Sequence, residues 1–470
     1  MLWLHVVFTA FFATLAFAVN PFEGASWENT KYYRNVDLAK SYVKEWALIE
    51  ATNVGEQPLD TYFFLINDGF DAVPEVSFLG VTLTERSQEI QPFAVENGVY
   101  MLKLPFPVAP GNSVEFKVRY TYSNTLYPFP ETIKLDDKQK LLLKMNKFPL
   151  SGYPTEEYSL AFTGITKGQE MDLQLININA TKEVPELKGR VEDNLLVYGP
   201  VKAYIKPLTI VPMGFLYDHD LPIARVINLE RSFWLPASDV DIVQTEEYYE
   251  LTNNGAELKD GFSRIDWMKG RYEILRKHFA LAQLEFPIDE KIPFDNYYVT
   301  DKVGMVSTHQ IKSDHLIVVP RYPLMGGWNY NFTLGWTNKL ENFVHKAKDE
   351  PDTYIAAVPL LNTLKDIYYD NVSMQIYLPE GAEFVNYSSP IVPENLSVSD
   401  ERSYLDFSSG HVKVTATYKN LYDDLGSLTA YVKYRYTPKA YWMKVGRIAA
   451  LVFTGLAAYF MLGQLDLSTK

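Results

Sequence analysis

Seven histidines, a few adjacent acids and no cysteine set the chemistry available to this 470-residue chain. His219 lies between Asp218 and Asp220 in "YDHDLP". Neighbours on an extended chain point to opposite faces, so the three do not converge on one metal ion. The segment reads as a loop histidine beside solvated acids. His309 and His315 share "HQIKSDH" with no third ligand close by. Glu246-Glu247 and Asp136-Asp137 are adjacent carboxylates, whereas an acid/base pair needs two carboxyls aimed at one bond. The chain contains no HExxH, no GxSxG and no phosphate-cradling glycine loop. Lacking cysteine, it has no disulfide, no thiolate zinc site and no thiol nucleophile. No catalytic, cofactor-binding or metal-binding residue is assigned, and no cofactor is expected.

One chemistry is spelled out repeatedly. Asn179, Asn331, Asn371, Asn386 and Asn395 each begin an Asn-x-Ser/Thr acceptor signal for N-linked sugar. Asn331 sits inside "PRYPLMGGWNYNFTLGWTNKL", where aromatics alternate with polar residues behind a Gly-Gly pair. On a strand, Tyr330, Phe332, Leu334 and Trp336 share one face, and Asn329, Asn331, Thr333 and Gly335 the other. That alternation predicts a core-facing wall with Asn331 turned to solvent. A sugar-binding cleft using Trp328 and Trp336 is the competing reading. Asn395, in "PENLSVSDE", is the other favoured acceptor.

Acceptors are used only on a chain that enters the secretory lumen, so the two ends decide whether they matter. Leu2 to Phe17 is apolar and ends in Ala16-Phe17-Ala18, a small-x-small cleavage pattern. Cleavage is expected between Ala18 and Val19. Near the other end, Ile448 to Gly463 carries no charge, and Met443 to Leu465 is long enough to span a bilayer. Tyr441 and Trp442 would form the interfacial belt. Lys439, Lys444 and Arg447 precede the span and only Lys470 follows it, which opposes a luminal bulk on charge alone. A long domain behind a signal translocates largely regardless of such charge, so a single-pass type I topology is expected. Within the helix Gly446, Ala450, Thr454 and Ala458 form a small-residue stripe suited to packing on other membrane helices.

The elements between the ends read as strands. "SVEFKVRYTY", "MDLQLININ", "VSMQIYLP" and "LTAYVKYRY" alternate with period two, and turn residues bound most of them. Aromatics reach 14%, which favours pleated surfaces. Two segments read as helical, Leu135 to Phe148 and Asp266 to Phe286, the latter with Tyr272, Leu275, Phe279 and Ala282 on one face. "EATNVGEQPLD" (Glu50 to Asp60) aligns with "ELTNNGAELKD" (Glu250 to Asp260), sharing five residues including Asn53/Asn253 and Gly55/Gly255. Further on Gly111 matches Gly327, Phe116 matches Phe332, Val118 matches Leu334 and Tyr120 matches Trp336. The larger offset places an insertion in the second copy, near Asp266 to Phe286. The fold class expected is mainly β: two tandem β-sandwich-like luminal domains plus one C-terminal transmembrane helix. The divisions are a signal peptide 1–18, luminal domains 19–226 and 227–440, a span 441–465 and a cytosolic tail 466–470. A formal charge of −14 speaks against a nucleic-acid partner and leaves the lipid bilayer as the one implied by composition.

Four segments, "GFSRIDWMKG" (Gly261 to Gly270), "VGMVSTHQ" (Val303 to Gln310), "PRYPLMGGWNYNF" (Pro320 to Phe332) and "DDKQKLLLKMNKFPLSGYPT" (Asp136 to Thr155), resemble the ribophorin I family, most closely its fungal members. The resemblance implies the large single-span subunit of the endoplasmic-reticulum oligosaccharyltransferase complex, with paired β-sandwich luminal domains. It implies an accessory, non-catalytic role beside a catalytic multispanning subunit whose WWD-type motif this chain lacks. Other subunits and nascent polypeptides are the partners it implies. Animal relatives continue into a cytosolic domain, where this sequence has "QLDLSTK". The alternative is a luminal hydrolase or a carbohydrate-binding membrane protein.

Overall fold

Alternating sequence becomes strand wherever one face has a core to cover. The computed structural model describes residues 26–464 except 67–75, 97, 166, 172, 174–179, 193–194, 238–240, 275–277, 290–292, 349, 363 and 403–409. Ala18, Val19, Asn179 and the tail fall outside the described residues.

Two eight-stranded sheets organise the chain. The first comprises β1 (Trp27–Asp37), β2 (Val43–Asn53), β3 (Val76–Leu83), β4 (Gln88–Ile90), β5 (Ser113–Tyr122), β6 (Thr155–Thr163), β7 (Gly189–Glu192) and β8 (Leu195–Ile205). Their order across the sheet is β7-β8-β6-β1-β2-β5-β3-β4. The second comprises β9 (Ala224–Trp234), β10 (Ile242–Asn253), β11 (Asp295–Asp301), β12 (Gly304–Met305), β13 (Asn329–Lys339), β14 (Tyr368–Tyr377), β15 (Asn395–Glu401) and β16 (His411–Tyr422). Its order is β15-β16-β14-β9-β10-β13-β11-β12, the same arrangement with every strand advanced by eight. In each sheet the first strand pairs in parallel with the sixth and antiparallel with the second.

The repeat holds to the residue. Phe116 stands opposite Ile49, and Phe332 opposite Tyr249. Each first strand bulges at its fourth residue, at Thr30 and Ile227. Gly111 and Gly327 both adopt left-handed φ, +77° and +78°, and each N–H donates at 2.8 Å to the carbonyl of Asn53 or Asn253. Those asparagines are fully buried. Their Oδ1 atoms accept from the Gly55 and Gly255 N–H groups at 2.9 Å, so the side chain closes the turn the backbone makes.

Smaller sheets cover one face of each large sheet. In the first unit, Phe215 of strand Pro212–Asp218 stacks on Phe162 of β6 at 3.9 Å. In the second, Phe286 of strand Leu284–Pro287 meets Tyr249 edge-on at 5.7 Å. Tyr330, Phe332, Leu334 and Trp336 are buried, so the wall faces the core as expected.

Two expectations change. Lys140–Asn146 is a strand, not part of a helix; it lies between Leu126–Pro128 and Pro212–Asp218. A short unbroken apolar run fits a doubly buried strand as well as a helix, and its neighbours decide. The second helix, α1, covers Arg264–Ile274 only. By Phe279 the chain is not helical, and the Phe279 carbonyl accepts from Asn253 Nδ2 at 2.8 Å. Leu275 lies outside the described residues. Strand β9 runs unbroken from Ala224 to Trp234. The last helix, α2, spans Pro438–Gln464.

Candidate functional site at the junction of the two sheets

The titratable residues singled out from sequence do not meet. His219 follows strand Pro212–Asp218 and is buried rather than solvated. Its ring lies edge-on to Tyr217 at 6.0 Å, and its Nε2 has no hydrogen-bond partner among the described residues. Burial pushes its pKa down to about 4. His309 and His315 occupy separate strands of a hairpin, His309 facing the Tyr297 hydroxyl at 3.2 Å and His315 facing Asp314 at 2.7 Å. Glu246 and Glu247 point to opposite faces of β10. Glu247 is fully buried against Arg231, while Glu246 accepts from the Tyr298 hydroxyl at the surface. Asp137 caps the Lys134 N–H in a turn. Among the described residues no three His, Asp or Glu side chains gather as a metal site.

Nor do the two tryptophans form one cleft. Trp336 is buried against Phe294 at 4.5 Å, whereas Trp328 packs outside the main core between Phe262 and Tyr322. Of the sugar acceptors, Asn371, Asn386 and Asn395 are exposed. Asn331 lies on the outward face but is half-buried, its Nδ2 donating to the Tyr248 hydroxyl at 3.0 Å. In α2, Gly446 has open space where a Cβ would stand, and Thr454 Oγ1 bonds back to the Ala450 carbonyl at 2.7 Å.

What the fold does bring together is the set of long segments read as motifs. A satellite core joins Ile133 and Leu135, on the first-sheet side, to Ala256, Phe279 and Met325 on the second, with Phe262, Trp267 and Trp328 packed around them. Thr132-Ile133 runs parallel to Glu257-Leu258 as a short two-strand bridge. Gln139 is its polar hub and is fully buried. Its Nε2 donates to the His219 and Leu221 carbonyls at 3.0 and 2.9 Å, and its Oε1 accepts from the Ala256 N–H at 2.7 Å. Gly326 must be glycine, because a Cβ there would stand 2.2 Å from the Ala256 carbonyl oxygen. His278 completes the seam, its Nε2 3.1 Å from the Leu135 carbonyl. Nearby, α1 and the Val319–Pro323 segment flank a cavity of about 420 Å³. Arg321 ties that segment to Asp301 at 2.5 Å and to the Gly304 and Met305 carbonyls.

A second contact lies between the Lys40–Lys44 segment and the Asp366 and Asp423-Asp424 side, where Ser41 Oγ donates to the Asp366 carbonyl at 2.5 Å. Lys40 Nζ reaches Asp423 at 2.7 Å and Asp424 at 3.0 Å, Lys44 pairs with Asp424, and Tyr42 donates to Asp423. Burial opposes the Lys40 charge, yet the bonds from Asp423 and Asp424 outweigh it and hold its pKa above the ordinary lysine value. Burial likewise opposes the Asp424 charge, and Lys44 and Lys40 overcome it, so its pKa falls. Sequence reasoning missed Gln139, Lys40 and Asp423, since nothing local distinguishes them from surface polar residues. The arrangement is a seam between two like units.

The profile of the Ribophorin I family matches residues 27–463. A Schizosaccharomyces pombe protein named dolichyl-diphosphooligosaccharide–protein glycosyltransferase subunit 1 is 25% identical, over 93% of this chain and 95% of its own length. The Caenorhabditis elegans protein of that name is also 25% identical, covering 85% of this chain but 66% of its own length. Subunit 1A of Arabidopsis thaliana is 27% identical over 72% of this chain and 52% of its own. A crystal structure of an M1 zinc metallopeptidase from Deinococcus radiodurans shares 11% identity over 44% of each chain at a TM-score of 0.23, too low to bear on function. With a family profile running from the first strand to the end of the last helix, and its motifs meeting at one seam, this chain belongs to the Ribophorin I family.

Proposed function

We propose that the chain is an accessory, non-catalytic subunit of the endoplasmic-reticulum oligosaccharyltransferase complex. Its two repeated units divide between Asp218 and Ala224, both lie in the lumen, and α2 anchors them to the membrane. The observation that carries this reading is the family match across residues 27–463, joined to relatives named as subunit 1 of that glycosyltransferase. The scattering of His219, His309, His315 and Glu247 into separate structural roles supports the non-catalytic part. On this reading the units hold the complex together or present nascent chains, and other subunits include the multispanning catalytic one. The stripe Gly446, Ala450, Thr454 and Ala458 is exposed on α2 and suits packing against their helices. The exposed Asn371, Asn386 and Asn395 are the readiest sugar acceptors, ahead of Asn331.

Isolation of the tagged full chain in mild detergent tests the reading. The expected result is co-purification of a multispanning subunit, with transfer of oligosaccharide to an acceptor peptide by the assembly and none by the chain alone. Transfer by the isolated chain, or its recovery without such a partner, would overturn it.

A further inference from the structure

Helix α2 does not hang from the second unit on a linker. It begins two residues after the last strand, Thr429–Arg435, and its first turns are part of the fold around them. Thr437 Oγ1 caps the Ala440 N–H at 3.3 Å, and Ala440 and Tyr441 pack against the main core. The turn at Gly381 lies alongside. A Cβ on Gly381 would be 3.3 Å from the Ala440 Cβ. One turn further, Lys444 Nζ meets Glu380 Oε2 at 2.8 Å, and that carboxylate is only 3% exposed.

Glu380 belongs to the rigid unit and cannot follow Lys444 into lipid. A lysine or arginine loses its hydration in hydrocarbon, which weighs against sinking Lys444 and Arg447 as well. We propose that Pro438–Arg447 stands above the bilayer as a stalk clamped by Glu380, and that the hydrocarbon span starts at Ile448. The Pro379–Glu383 turn then rests at the luminal headgroup layer and holds the units at fixed height and azimuth. The remaining helix, Ile448 to Gln464, is about 26 Å long at 1.5 Å per residue, close to the ~27 Å of an endoplasmic-reticulum bilayer. The inference rests on the reading of α2 as a membrane span, and it leaves Gly446 above the lipid with Ala450, Thr454 and Ala458 as the part of the small-residue stripe inside it.

The chain has no cysteine, so single substitutions report cleanly. In full-length protein reconstituted in liposomes, with a charged maleimide on both faces, Trp442→Cys and Val445→Cys should label about as fast as Val303→Cys. Ala449→Cys, Phe453→Cys and Leu456→Cys should label at least ~10-fold more slowly, because a thiol shielded by lipid is neither ionised nor reached. Protection that already begins at Trp442→Cys would overturn the stalk. Fast labelling at every position would overturn the span reading and the stalk with it. For the clamp, oxidation of Gly381→Cys with Ala440→Cys should give a disulfide once the Gly381 turn, at φ +83° and 3.3 Å from Cβ to Cβ, gives by a few tenths of an ångström. Adding Lys444→Glu should slow its formation, and adding Glu380→Lys as well should restore it. A rate indifferent to Lys444→Glu would overturn the clamp.

Discussion

His219 shows how burial rewrites a residue that looks reactive in sequence. An Asp-His-Asp run reads as solvated, yet the ring is held neutral beside Tyr217 with its pKa near 4. The unfolded chain takes up a proton near 6.5 and the folded chain does not until about 4. Stability therefore is full above pH 6.5 and declines as pH falls through that window, by about 3 kcal/mol in all. Urea midpoints of the full chain in detergent should fall between pH 6.5 and 4.5, and His219→Phe should flatten that decline. An unchanged slope in the variant would place the proton uptake elsewhere. The buried Arg34–Glu45 and Arg231–Glu247 pairs were equally hidden in the sequence. Arg34 and Arg231 occupy equivalent positions, each opposite the second strand, but their carboxylates lie two residues apart in register. Tyr120 and Tyr122 complete the first pair, and Tyr249 and Asn362 the second. Shared geometry with unshared residues leaves little for an alignment to find.

At the scale of elements, the glycine pair before β13 is where close approach sets the residue type. Gly327 is needed for its left-handed φ, and Gly326 for its contact with the Gly255-Ala256 carbonyls. Overpacking in a well-packed site costs about 1–3 kcal/mol, and the backbone atoms facing Gly326 have little room to yield. Gly326→Ala should lower the melting temperature by several degrees, on the scale of about 2–4 °C per kcal/mol for a domain of this size. Gly446→Ala, where a Cβ meets open space, should leave it nearly unchanged. Equal effects would mean that the seam relaxes around a methyl group. The insertion expected within the second copy, near Asp266 to Phe286, is helical over Arg264–Ile274 among the described residues. Its second half is drawn across the seam by Asn253 and His278, whose Nδ1 accepts from the Ala280 N–H.

For the whole molecule, the question is what makes two repeated units behave as one. Asp423 is the shared acceptor of the clasp, taking Lys40, Tyr42 and the Asp366 N–H. Its removal strands the Tyr42 hydroxyl and the Asp366 N–H and leaves Lys40 to Asp424, so Asp423→Ala should cost about 1–3 kcal/mol of docking energy. Calorimetry of the full chain should then resolve two unfolding transitions where the unaltered protein gives one. A single undivided transition in the variant would show that the Gln139 seam suffices. The depressed Asp424 favours docking above pH ~4 and loses it as pH falls further, while the raised Lys40 favours docking until pH exceeds ~10. The contribution of the Lys40–Asp424 clasp should thus stay constant from pH 5 to 9.

Period-two alternation determined the β class and the outward or inward sense of β13, because side-chain direction on a strand is a local property. The repeated Asn-x-Gly turns carried the duplication, since a buried asparagine that closes its own turn tolerates no substitute. The apolar C-terminal run marked the helix for the same local reason. Tertiary structure alone decided the rest. Leu141, Leu142 and Leu143 became strand because partners waited on both sides. Gln139, Lys40 and Glu380 became the fasteners of the molecule because segments distant in sequence delivered carbonyls, carboxylates and a lysine to them. Such pairings depend on where remote chain arrives, which no window of sequence contains.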